Sequence, residues 1–137
     1  MIHKPLANIE LRGSDETGNG WYGANRGRRK HKGLDLVSIP NEAVFSPIHG
    51  IITKIGYPYA KALQFRYIEI TGPIYRVWLM YVLPNDSIKK GQKIFIGDKV
   101  GTAQNIAEYH HPEMQNHIHL QVWKYGLLTD PEPILFY

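Results

Sequence analysis

Residues Asn116–Trp123 read "NHIHLQVW", and this short run decides how the rest of the chain is read. Successive strand side chains point to opposite faces, so Leu120 and Val122 share one face while His117 and His119 share the other, about 6 to 7 Å apart along the strand. An edge strand can carry two exposed histidines without further meaning. Paired histidines on one face can equally hold a metal or move a proton, but they need partners elsewhere in the chain.

The chain has 137 residues and 43% hydrophobic composition, enough for one core. Its residues after Gly33 form a succession of short β-like runs, including "LDLVS", "GIITKIGYP", "FRYIEITG", "YRVWLMYVLP" and "KVGTA". These are rich in β-branched and aromatic residues and are separated by turns such as "PIHG", "LPND" and "IGDK". The expected fold is mainly β, an antiparallel sheet with barrel-sandwich-like hairpins and few or no helices. The run 75–84 is apolar on both faces, which predicts a strand buried on both sides. Only "NIAEYHHPEMQ" offers a helical turn, which Pro112 would keep short. Residues 1–25 read as a polar, Gly-rich segment lying on or near the site, with His3 in a loose terminus, and residues 26–137 as a single domain.

No run of seven apolar residues opens the chain, as a leader would, and no stretch has the roughly 20 apolar residues of a spanning helix. Cysteine is absent, which excludes disulfides, thiolate ligands and a cysteine nucleophile. The formal net charge of +4 is local, since Arg26, Arg28, Arg29, Lys30 and Lys32 supply five positive charges and leave the remainder at −1. A single basic run without a basic helix or base-stacking aromatics argues against nucleic acid as the partner. "GNGWYG", 18–23, matches G-x-G-x-x-G by letter, but the hydrophobic strand before it and the helix after it are missing.

The partners for the histidine pair are found in "HKGLD", where His31 and Asp35 stand four apart around Gly33. A straight strand would hold those two side chains about 13 Å apart, so sharing a metal requires a bend, which Gly33 permits. Two histidine-bearing elements and a carboxylate in a cysteine-free chain supply the nitrogen and oxygen donors of a catalytic zinc site. Taken alone, "HKGLD" also fits a basic loop ending in a turn cap.

The order H-x-x-x-D followed by H-x-H resembles the lysostaphin/LytM-type zinc peptidases, peptidase family M23. Residues 31–56 are similar to that family's first block, "IKKGQKIFIGDKVGTA" to its Gly-Gln hairpin, "NHIHLQVW" to its H-x-H strand and "DPEPIL" to its closing block. "GWYGANRGRRKHKGLD" and "MYVLP" resemble the family's leukocyte cell-derived chemotaxin-like, non-peptidase branch more closely still. The resemblance implies one zinc ion held by His31, Asp35 and His119, with His117 as proton handler, and a peptide substrate in bacterial peptidoglycan. It also implies action at the cell envelope or outside the cell; the compartment itself stays open, and a monomer is expected.

One departure matters. The family's strand before the Gly-Gln hairpin reads "YxHL", whereas this chain reads "LMYVLP", placing Tyr81 or Val82 where a site histidine is usual. Tyr81 would keep a hydrogen-bond donor for the transition-state anion, and Val82 would not. Tyr22, Arg26, Tyr57, His110 and His111 are candidates for lining the substrate cleft. Two functions compete: a zinc metallo-endopeptidase, and a zinc-stabilised binding module that has lost turnover.

Overall fold

The computed structural model describes residues 1–13, 20–26, 29–111 and 113–136, with the backbone alone at 25, 26, 29, 30 and 136. Its strands are β1 (Ile2–His3), β2 (Asn25–Arg26), β3 (Arg29–Lys30), β4 (Leu34–Val37), β5 (Ala43–Phe45), β6 (Gly50–Gly56), β7 (Tyr67–Thr71), β8 (Tyr75–Met80), β9 (Val82–Pro84), β10 (Lys93–Ile94), β11 (Lys99–Ala103), β12 (His117–Lys124), β13 (Leu127–Thr129) and β14 (Leu135–Phe136). One short helix, α1 (Ile106–His110), precedes β12, and a single 3-10 turn covers Glu132–Ile134. The fold is mainly β, as the turn-punctuated sequence predicts.

The main sheet runs β10-β6-β7-β8-β12-β13, with β4 paired to the first half of β12. All of its pairings are antiparallel. A three-stranded sheet, β5-β11-β9, stands beside it.

Hydrophobic alternation sets the register. On β12, Ile118, Leu120 and Val122 are fully buried in one core with Leu34 and Leu36 of β4, Val77 and Leu79 of β8, and Ile68 and Ile70 of β7 beyond it. A one-residue slip would turn this whole set to the opposite face, so burial of one face pins the other. In this register Asp35 lies directly across from His119.

β8 is buried on one face only. Val77 and Leu79 enter the core, while Arg76, Trp78 and Met80 are half-buried on the site face, in contrast to the two-sided burial its apolar sequence predicts. The amino-terminal segment is also better anchored than its polar composition suggests. Ile2 and Leu6 are fully buried, and His3, expected in a loose terminus, lies in β1, which pairs with β14 in parallel.

A second, smaller cluster joins Ala62 and Phe65 of the β6–β7 connection to Ile106 of α1, with Tyr59 and Tyr81 packed against it. It brings two connections that are distant in sequence together at the rim of the site. Among the described residues, no helix is long and apolar enough to cross a membrane.

Candidate metal centre

His31, Asp35 and His119 converge at the junction of β4 and β12. His31 Nε2 lies 3.1 Å from His119 Nδ1 and 3.2 Å from Asp35 Oδ1, and His119 Nδ1 lies 3.0 Å from Asp35 Oδ1. These atoms form a nearly equilateral triangle. Tetrahedral ligands 2.0–2.1 Å from a zinc ion stand about 3.3 Å from one another, close to these edges.

The outer atoms of the rings explain why the inner ones face each other. His31 Nδ1 lies 2.8 Å from the Trp21 carbonyl oxygen, and His119 Nε2 lies 3.0 Å from Gln121 Oε1. Both partners are acceptors, so each ring donates its proton outward and turns a lone pair inward. Three lone pairs around one point repel unless a cation or a shared proton lies between them. The donor set therefore fits zinc, and metal uptake would release any proton held there.

Asp35 is 2% exposed. Burial pushes its carboxyl toward the neutral form, but His119 and His31, which hydrogen-bond to it once a proton is held on an inner nitrogen, and the nearby His117 pull harder the other way, holding it well below the usual carboxylate range. Arg12, 4% exposed, reaches Asp35 Oδ2 at 2.9 Å. The backbone around Asp35 is held as well, since its N–H donates to Gly20 O and its carbonyl accepts from Arg12 N–H. Nothing in the sequence pattern around Arg12 points to this role, because its partner lies 23 residues away.

Gly33 serves by its lack of a side chain. A Cβ there would lie 2.5 Å from the Leu120 carbonyl oxygen and 2.6 Å from His119 Nε2, so only glycine lets the chain carry His31 back over β12 to Asp35.

His117 stands one pleat from His119 on the same face. Its Nδ1 donates to Gln115 O at 2.8 Å, and its Nε2 points inward, 3.5 Å from Asp35 Oδ2. Burial lowers its pKa below the ordinary histidine value, against the opposing pull of Asp35, so the ring is neutral at pH 7 with a free acceptor at Nε2.

Tyr81 and Val82 occupy different environments. Alternation continued from Trp78 and Met80 would place Val82 on the site face. Tyr81 instead adopts φ +64°, a left-handed conformation that is rare for an aromatic residue and shifts the alternation by one. Its N–H donates to Arg66 O and its carbonyl accepts from Gln104 N–H, which hold it there. Val82 is fully buried in the core, and the Tyr81 ring meets the His117 ring edge-on at 5.7 Å.

A cavity of about 250 Å³ opens over these groups, lined by the three candidate ligands and His117 together with Arg12, Tyr59, Met80, Tyr81, His110 and Met114. Of the cleft candidates drawn from the sequence, His110 is among the lining residues. Tyr22, Tyr57 and His111 are not: Tyr22 is half-buried, Tyr57 is 50% exposed with the Arg66 guanidinium 4.3 Å above its ring, and His111 Nδ1 accepts from Glu113 N–H. The side chain of Arg26 lies outside the described residues.

Sequence reasoning missed Arg12, Tyr59 and the acceptors behind the rings. Gln121 was within reach of it, being two residues from His119 and so on the same strand face.

Comparison with known proteins bears on the family and the fold. Residues 29–131 match the model of the family described as Peptidase family M23. Leukocyte cell-derived chemotaxin-2 of Mus musculus is 30% identical over 128 residues, covering 85% of this chain and 80% of the relative. The catalytic domain of the antimicrobial peptidase lysostaphin from Staphylococcus simulans superposes with a TM-score of 0.61 at 19% identity, covering 85% of this chain and 89% of that one. Helicobacter pylori Csd3 gives 0.70 at 18% identity over the whole chain, which spans 35% of Csd3. With its order of His31, Asp35, His117 and His119, its mainly β fold and a match over residues 29–131, the chain belongs to peptidase family M23.

Proposed function

We propose that this chain is a zinc-dependent metallo-endopeptidase that hydrolyses peptide amide bonds of bacterial peptidoglycan. The observation that carries this reading is the buried triangle of His31 Nε2, Asp35 Oδ1 and His119 Nδ1, with His117 and Tyr81 beside it in one cavity. When bound, zinc supplies a Lewis acid that polarises an amide carbonyl and lowers the pKa of its water to about 7.

The other roles belong to the chain. His117 Nε2 takes a proton from the attacking water and returns it to the leaving amine, while Nδ1, tied to Gln115 O, fixes the ring orientation. The Tyr81 hydroxyl donates to the oxygen that becomes negative as the carbonyl carbon turns tetrahedral. Arg12 holds Asp35 against rotation. The substrate places the action at the cell envelope or outside the cell, and the protein acts as a monomer.

The test is release of new amino groups from purified peptidoglycan by protein carrying one zinc per chain, with His117→Ala as control. Release that vanishes in the control supports the reading, whereas no release from several peptidoglycan types by zinc-loaded protein rules it out. The second reading, a zinc-stabilised binding module, draws on the 30% identity to a chemotaxin and on tyrosine in place of histidine at 81. It expects peptide binding that survives His117→Ala.

A further inference from the structure

Tyr81 does not stand alone. Its hydroxyl lies 2.8 Å from that of Tyr59, and the Tyr59 hydroxyl lies 2.9 Å from His110 Nε2. The three groups come from separate places: the residue between β8 and β9, the β6–β7 connection and the last turn of α1. The Tyr59 and Tyr81 rings stack 6.0 Å apart, and His110 meets Tyr59 edge-on at 5.6 Å. All three residues line the metal cavity.

A chain of two hydroxyls and one imidazole has two polarities. In one, Tyr81 donates to Tyr59 and Tyr59 donates to His110, which leaves only a lone pair of Tyr81 for the cleft. In the other, His110 Nε2–H donates to Tyr59, Tyr59 donates to Tyr81, and the Tyr81 O–H is free to donate inward. Asp35, fixed as a carboxylate in the same cavity, favours an inward-pointing O–H dipole, as does any negative charge that develops on a substrate oxygen.

Resting on the hydrolase reading above, we propose that Tyr59 and His110 are positioning residues that hold this second polarity, so that a His110–Tyr59–Tyr81 relay replaces the histidine usual at this place in the family. The relay moves no net proton. It pre-orients one O–H toward the oxyanion, and each bond polarises the next.

The experiment compares two substitutions of nearly equal shape in zinc-loaded full-length protein. His110→Gln keeps an N–H donor near Nε2, while His110→Glu presents only acceptors and reverses the chain. The readouts are kcat and KM for amine release from soluble peptidoglycan fragments, and affinity for a phosphinate isostere of glycyl-glycine, a stable tetrahedral anion. Zinc content and near-ultraviolet circular dichroism confirm intact folding.

The relay predicts a kcat about tenfold lower in His110→Glu than in His110→Gln at similar KM, the scale of one hydrogen bond. Tyr59→Phe should fall in the same direction as Tyr81→Phe, and phosphinate affinity should drop in parallel. Equal kcat in the two His110 variants, or a Tyr59→Phe change confined to KM, overturns the relay while wild-type turnover leaves the hydrolase reading standing. Wild-type protein that neither cleaves peptidoglycan nor binds the phosphinate overturns both.

Discussion

The two faces of β12 are built from neighbouring residues and obey different rules. Ile118, Leu120 and Val122 are fully buried in a continuous apolar core, where each is held by shape and volume alone. His117, His119 and Gln121 are almost as deeply buried, yet each carries polar atoms that must be matched one by one: His117 by Gln115 O, and His119 by Gln121 Oε1. The first face is redundant, because many neighbours share the burial. The second is not, because a single lost partner leaves a ring free to turn or a donor without an acceptor. A strand can thus be robust on one side and exacting on the other at a spacing of one residue.

The sharpest break in that comparison comes from His119→Ala. Removing one donor of three should reduce turnover to background and abolish retention of zinc through dialysis, as measured by metal analysis. Compared without metal, variant and wild type should melt within a few degrees of each other. Its neighbour should behave in the opposite way. Leu120→Ala is expected to cost about 2 to 5 kcal/mol in chemical denaturation, while the surviving folded fraction still binds zinc. Retention of full stability by Leu120→Ala would contradict the division of labour between the faces.

A subtler contrast lies at Gln121. Gln121→Leu preserves volume but removes the acceptor for His119 Nε2–H, and zinc affinity should fall about 10- to 100-fold in competition with a chelator. Thermal stability without metal should hardly change. At the far end of the scale, Leu127→Ala in the adjoining β13, at a position 72% exposed, should shift stability by no more than about 0.5 kcal/mol.

The core face was legible in the sequence, since alternation from Ile118 to Val122 and the turn residues between strands are local signals. The candidate ligand set was legible because H-x-x-x-D and H-x-H are short patterns of chemically committed residues. Arg12 was not, because a buried arginine is defined by a carboxylate that the chain brings to it across 23 residues. The facing of Tyr81 rests on one backbone angle, φ +64°, stabilised by Arg66 and Gln104, and no residue pattern in "LMYVLP" announces it. The tie between Tyr59 and His110 spans 51 residues and depends on how two connections pack. Gly33 was expected as a point of bending; its more specific service is to clear space for the His119 ring and the Leu120 carbonyl.

The triangle of donors also has a meaning in polymer terms. His31 and His119 are separated by 88 positions, and an ion gripped by both ties the chain into a long closed loop. For a covalent crosslink of that span, the reduction in unfolded-state freedom is worth roughly 4 to 5 kcal/mol. With such an ion bound, a protein with no cysteine would obtain from coordination the tether that other small domains obtain from sulfur. Natural selection acting on that tether alone would preserve His31, Asp35 and His119 and leave His117 free to drift.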